Sequence, residues 1–134
     1  MDNVSVLVVD DSDDWRNTLF GVLSDEGFIA YTAGSAIDAI QILTDRSIDM
    51  AILDIRMDDS DEENVDGLLV AAEIQNKWPG TKIVILTGYS SLDTVRIAFS
   101  KYKVVDFLQK SDAGKLPDIL KEHLLKTNTY KNKE

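Results

Sequence analysis

Four apolar runs in this chain each close on, or enclose, a residue that can do chemistry. "VSVLVV" (4 to 9) is followed by Asp10 and Asp11, "MAILDI" (50 to 55) contains Asp54, "KIVILT" (82 to 87) ends on Thr87, and "VVDFLQK" (104 to 110) ends on Lys110. Three carboxylates can hold a hard, oxygen-seeking cation such as Mg2+, which is often shared with a phosphoryl group. A hydroxyl and an ammonium can hold phosphoryl oxygens as charge develops during in-line transfer. A carboxylate can also be the nucleophile itself and form an acyl phosphate. Asp54 is the candidate for that role, because a carboxylate within "AILDI" is costly to bury unless charge or hydrogen bonding compensates it. Taken singly, each residue has a plainer reading: Asp10 or Asp11 as a helix N-cap, Thr87 as an ordinary strand-terminal threonine, Lys110 as a solvated lysine. Five of them at the ends of apolar runs argue for a shared site.

These residues share a site only if the runs are neighbouring strands. All four are rich in Val, Ile and Leu without polar alternation, the pattern of strands buried on both faces of a parallel sheet. A fifth run, "GFIAYTA" (27 to 33), is more mixed and suits an edge. Between them lie segments with helical spacing: Trp15, Leu19, Val22 and Leu23 form one stripe, Ile37, Ile40 and Leu43 a second, and Leu116, Ile119, Leu120 and Leu124 a third. Ser35 before Asp38 and Ser90 before Asp93 resemble N-terminal caps, Pro117 fits a first helical turn, and "WPG" (78 to 80) ends a helix. Five strands alternating with five helices predict a three-layer α/β domain with a parallel sheet and helices on both faces. In such sheets ligands bind outside the carboxyl ends of the strands, where the strand order reverses. Asp10, Asp11, Asp54, Thr87 and Lys110 all fall there, and Asp54 lies on the central strand.

The bulk properties narrow the function. A chain of 134 residues, 44% hydrophobic, suits one domain with a single core. A formal net charge of -10 argues against direct nucleic-acid binding, since phosphate backbones attract clustered Lys and Arg. The absence of cysteine excludes disulfides, thiolate catalysis and Cys-ligated metals. The acidic N-terminus and short apolar runs lack the signature of a signal or membrane segment, so the expectation is a soluble, cytoplasmic protein.

The motifs "VLVVDDS", "AILDIRM", "VILTG" and "DFLQK" occur in this order at intervals that resemble the receiver domains of two-component response regulators, from Val4 to about Leu125. The resemblance implies a flavodoxin-like (βα)5 sandwich with strand order 2-1-3-4-5, a receiver domain over residues 1–126, and a polar tail or linker start over 127–134. It implies Asp54 as phosphoacceptor, and Asp10, Asp11, Asp54 and the main-chain carbonyl of Arg56 as ligands of Mg2+ or Mn2+. Thr87, Gly88 and Lys110 would bind the phosphoryl oxygens. Phe107 would be the aromatic that turns inward as the face formed by the fourth helix, fifth strand and fifth helix changes shape. Arg56 and Tyr89 would tune the lifetime of the phosphorylated state. The implied partners are a histidine kinase or histidine phosphotransfer protein, an output domain or effector, and a second copy of the chain on phosphorylation. On this reading the protein is not an enzyme beyond slow self-dephosphorylation.

The chain also departs from the family. Asp58 replaces a proline after Met57, and Asp66-Gly67 arrives about five residues late, behind an acidic insertion (58 to 63). That insertion is not a calcium loop of the EF-hand kind, because the sixth residue from Asp58 is Glu63 rather than glycine. A solvated charge run is the expectation. Ser111 follows Lys110 where the family commonly has a cis proline. His123, Trp15 and Trp78 read as structural or surface residues. Two other functions compete. A haloacid-dehalogenase-type phosphatase needs a second Asp two residues after the nucleophile, where this chain has Arg56. A receiver-like interaction module that is never phosphorylated would not need the acidic pair, the central Asp and the Lys together.

Overall fold

In the computed structural model, residues 4–56, 64–88 and 92–132 are described. The insertion 58 to 63, Met57, Tyr89 and Ser90 lie outside them. Five strands form one parallel sheet: β1 (Ser5–Val9), β2 (Ile29–Ala33), β3 (Met50–Leu53), β4 (Lys82–Thr87) and β5 (Asp106–Gln109), in the order β2-β1-β3-β4-β5. Five α-helices connect and follow them: α1 (Asp13–Asp25), α2 (Ala36–Asp45), α3 (Asp66–Lys77), α4 (Leu92–Lys101) and α5 (Leu116–Asn132). A short 3-10 segment, Lys110–Lys115, which the sequence pattern does not signal, joins β5 to α5.

The sheet is apolar on both faces because both are covered. Alternate strand residues Leu7, Val9, Ala51, Leu53, Ile83 and Ile85 pack with Ala39 and Leu43 of α2, Ala71 and Ile74 of α3 and Ala98 of α4. The intervening residues Val6, Val8, Ile52, Val84, Leu86 and Leu108 pack with Leu19 and Leu23 of α1 and Leu116 and Leu120 of α5. This is the expected three-layer sandwich, and the mixed run 29 to 33 does form an edge.

Two local expectations need correction. The α2 stripe was drawn through Ile37, but Ile37 is 82% exposed while Ala39 is fully buried. Six of the first eight α2 residues are apolar, so periodicity alone does not choose the inner face; the small Ala39 faces inward and Ile37 points out. In α1, Val22 of the predicted stripe is exposed, whereas Leu19 and Leu23 are buried. Helix α5 runs to Asn132.

Ser35 caps α2 by accepting the Asp38 N–H at 3.2 Å, and α3 stops before Trp78. No peptide bond among the described residues is cis, so Lys110–Ser111 is trans. No helix among them is long and apolar enough to cross a membrane.

Candidate functional site

The carboxyl ends of β1, β3, β4 and β5 converge because the parallel register sets Val9 beside Leu53, Leu53 beside Ile85 and Thr87 beside Gln109. The next residue after three of these strands is Asp10, Asp54 or Lys110, and Thr87 ends the fourth. Main-chain bonds extend the ladder one step further: the Asp54 N–H donates to Val9 O at 2.9 Å, and the Asp10 N–H to Ala33 O at 3.1 Å. The carboxylates are therefore held by the sheet rather than by a loop.

Behind Asp54 the chain approaches very closely. Gly67, in the first turn of α3, donates its N–H to Ile55 O at 2.9 Å. A Cβ on Gly67 would lie 1.8 Å from the main-chain oxygen of Asp54. Only glycine fits there.

The bland reading of Asp10 and Asp11 as N-caps fails. Ser12 caps α1, its hydroxyl accepting the Trp15 N–H at 3.3 Å. Asp10 instead accepts the Ser12 N–H on Oδ1 at 2.9 Å and points its other oxygen at Lys110. The Lys110 ammonium lies 2.9 Å from both Asp10 Oδ2 and Asp54 Oδ2. Thr87 donates its hydroxyl to Asp54 Oδ1 at 2.6 Å. Asp10, Asp54 and Thr87 are all but fully buried.

One ammonium thus serves two buried carboxylates, with a third beside them. Burial raises the Asp10 pKa, and the Asp54 charge pushes it the same way; the Ser12 N–H and Lys110 oppose them without cancelling the rise. For Lys110, burial favours the neutral amine, but hydrogen bonds and charge from Asp54 and Asp10 outweigh it and raise its pKa. The surplus of negative charge suits a divalent cation. Carboxylate oxygens of Asp10, Asp11 and Asp54 lie within 4.8 Å of one another. Opposite ligands of an ion bound at roughly 2.1 Å are about 4.2 Å apart, so the three acids match a hard-cation shell in donor type and lie close to its span.

Of the other sequence-predicted residues, Gly88 adjoins the site, with room for a Cβ at 3.7 Å from the Lys110 side chain. Arg56 is half-buried two residues beyond Asp54. Phe107 lies half-buried against the core on the α2, α3 and α4 side of the sheet. Tyr89 lies outside the described residues. His123 is tied into the scaffold: Nε2 lies 3.1 Å from Asp106 Oδ2, and its carbonyl accepts from Lys82 Nζ at 2.9 Å.

Three neighbours escaped the sequence reading. Ser12 follows the acidic pair and, as a favoured cap residue, was a legible signal. Arg16 donates from Nη1 to the Asp10 carbonyl at 2.7 Å and also bonds Asp13. The Trp15 ring lies under Lys110, with Nζ 5.2 Å from its centroid. Nothing in the spacing links residue 16 to a carbonyl of residue 10, or residue 15 to residue 110.

The family model of the response regulator receiver domain matches residues 6–121. The chain belongs to this family. An NtrX-like response regulator of Rickettsia bellii is 32% identical over 110 residues, which cover 82% of this chain and 22% of that relative. The response regulator TrrA of Thermotoga maritima, solved in complex with Mg(2+)-BeF, is 32% identical, with a TM-score of 0.74 over 89% of this chain and 97% of that one. A CheY-like receiver domain from Methanospirillum hungatei has a TM-score of 0.84 over 94% of this chain and 97% of its own; at 21% identity it shows the fold alone. The receiver domain spans only about a fifth of the NtrX-like relatives it matches.

Proposed function

We propose that Asp54 accepts a phosphoryl group from phosphohistidine on a histidine kinase or phosphotransfer protein, with Mg2+ or Mn2+ bound. The observation that carries this reading is the placement of Asp54. It is buried among two further acids, with a hydroxyl donating to one oxygen and an ammonium beside the other. The TrrA complex with Mg(2+)-BeF supports the same chemistry in a relative.

In this mechanism an Asp54 carboxylate oxygen attacks phosphorus, the O–P bond forms as the P–N bond breaks, and the electron pair of that bond returns to the imidazole. Asp10, Asp11 and Asp54, with the carbonyl of Arg56, would hold the cation, which when bound supplies charge neutralisation to the acids and phosphoryl oxygens. Lys110 and the Thr87 hydroxyl, both now on Asp54, transfer their hydrogen bonds to phosphoryl oxygens, joined by the Gly88 N–H. Phosphorylation adds up to about two negative charges to this rim. As Thr87 and Phe107 adjust, the α4, β5 and α5 face shifts its population of shapes toward one that an output domain, an effector or a second copy binds. By the family resemblance, Arg56 and Tyr89 would restrict attacking water and set the lifetime of the acyl phosphate.

The test is intact mass after incubation with acetyl phosphate and Mg2+. The unsubstituted chain gains one phosphate transiently and Asp54→Asn gains none. No gain in either, on repeated trials, would instead favour an interaction module that works unphosphorylated.

A further inference from the structure

Lys110 bridges two acids and also sits over an aromatic ring, and nothing in the reading of Asp54 uses that ring. Trp15 is half-buried against the α1 and α5 side of the core, with the Lys110 ammonium 5.2 Å from its centroid. Its backbone is tied to the same place. The Trp15 N–H donates to the Ser12 hydroxyl, and the Ser12 N–H donates to Asp10, which in turn bonds Lys110. The contacts form a closed circuit through Trp15, Ser12, Asp10 and Lys110. A lysine carries an ammonium on a flexible four-carbon stem and loses rotamer freedom when fixed. An aromatic face below it removes positions that the two carboxylates alone would allow, while the ring quadrupole attracts the charge.

We propose that Trp15 is a positioning residue for Lys110, holding its ammonium at the Asp10 and Asp54 oxygens where the incoming phosphoryl group needs it. The proposal rests on the phosphoacceptor reading of Asp54 for its functional consequence, and on the ring contact alone for its geometry. Trp15 acts through Lys110 and touches no reacting atom.

Two measurements test it. The first is the initial rate of phosphate gain from acetyl phosphate and Mg2+, with folding checked by circular dichroism. Trp15→Leu, which keeps apolar bulk but removes the ring, lowers the rate about fivefold, and Trp15→Phe restores it to within about twofold of the unsubstituted chain. Equal slowing by Leu and Phe would show packing alone, and no slowing by Leu would show no role; either overturns the proposal. The second measurement needs no phosphate donor. In a Trp78→Phe background Trp15 is the sole indole, and a charge over its ring alters the energy of its excited state. Lys110→Met then shifts the Trp15 emission maximum or yield, and an unchanged emission overturns the proposal. If the unsubstituted chain takes up no phosphate, the reading of Asp54 falls while the emission still decides the role of Trp15. Should either substituted chain fail to fold, the other measurement decides.

Discussion

Asp10 holds its charge at a cost. Its pKa is raised because burial and the Asp54 charge outweigh the Ser12 N–H and Lys110. An acid whose folded pKa lies above its unfolded value carries no penalty below that value, 3.8, and carries the full penalty once the pH exceeds the folded value. Asp10→Asn is therefore expected to raise the thermal midpoint at pH 7 in Mg2+-free buffer, with the gain shrinking as the pH falls toward 3.8. The same substitution removes one of the proposed cation ligands, so it should also abolish the response to Mg2+. Melting curves against pH, with and without the ion, check both signs. At this scale the residues that converge on one rim were legible, because acids, a hydroxyl and an amine stood at the ends of apolar runs. Their wiring was not. That Ser12 rather than Asp10 caps α1, and that Arg16 and Trp15 reach the site, depends on side-chain directions that spacing does not encode.

Among the elements, α3 is placed by one glycine. Alanine is better than glycine in a helix by about 1 kcal/mol. At position 67 that preference loses, since the added Cβ would lie 1.8 Å from the Asp54 carbonyl oxygen and backbone must move. Gly67→Ala is expected to destabilise the domain by about 3 kcal/mol in denaturant titration, the upper end for overpacking, and to slow phosphate uptake by displacing Asp54. Helix α2 makes the complementary case. Ile37→Asn should change stability by less than about 0.5 kcal/mol because the side chain is 82% exposed. Leu43→Ala, at 2% exposure, should cost about 3 kcal/mol. Strand and helix types were readable from period and composition, and β4 falls on its predicted residues. The inner face of α2 was readable in part: Leu43 and Ile40 pack on the core as the stripe predicts, but six of its first eight residues are apolar, and Ala39 rather than Ile37 faces inward.

Across the whole molecule, the sheet order makes the site. Five βα units alone do not specify 2-1-3-4-5; the resemblance to receiver domains supplied it, and the hydrogen-bonded strand pairs carry it. A net charge of -10 with three acids at one rim makes the fold a natural partner for a divalent cation. An ion that binds only the folded state stabilises it by about 2.7 kcal/mol at one hundred times its dissociation constant. Titrating Mg2+ should thus raise the unfolding midpoint of the unsubstituted chain. Lys110 adds a limit at high pH. Its raised pKa contributes stability that is complete below 10.5 and is lost as the pH climbs through the folded value.

In the proposed mechanism one acid, Asp54, carries the phosphate, although seven carboxylates lie between positions 54 and 66. Borohydride reduces an aspartyl phosphate to homoserine, which marks the modified residue permanently. After incubation with acetyl phosphate and Mg2+, reduction and peptide mapping should find homoserine at position 54 and at no other acid. Homoserine within the insertion 58 to 63, at position 10 or 11, or nowhere in a chain shown to be folded, would contradict the account.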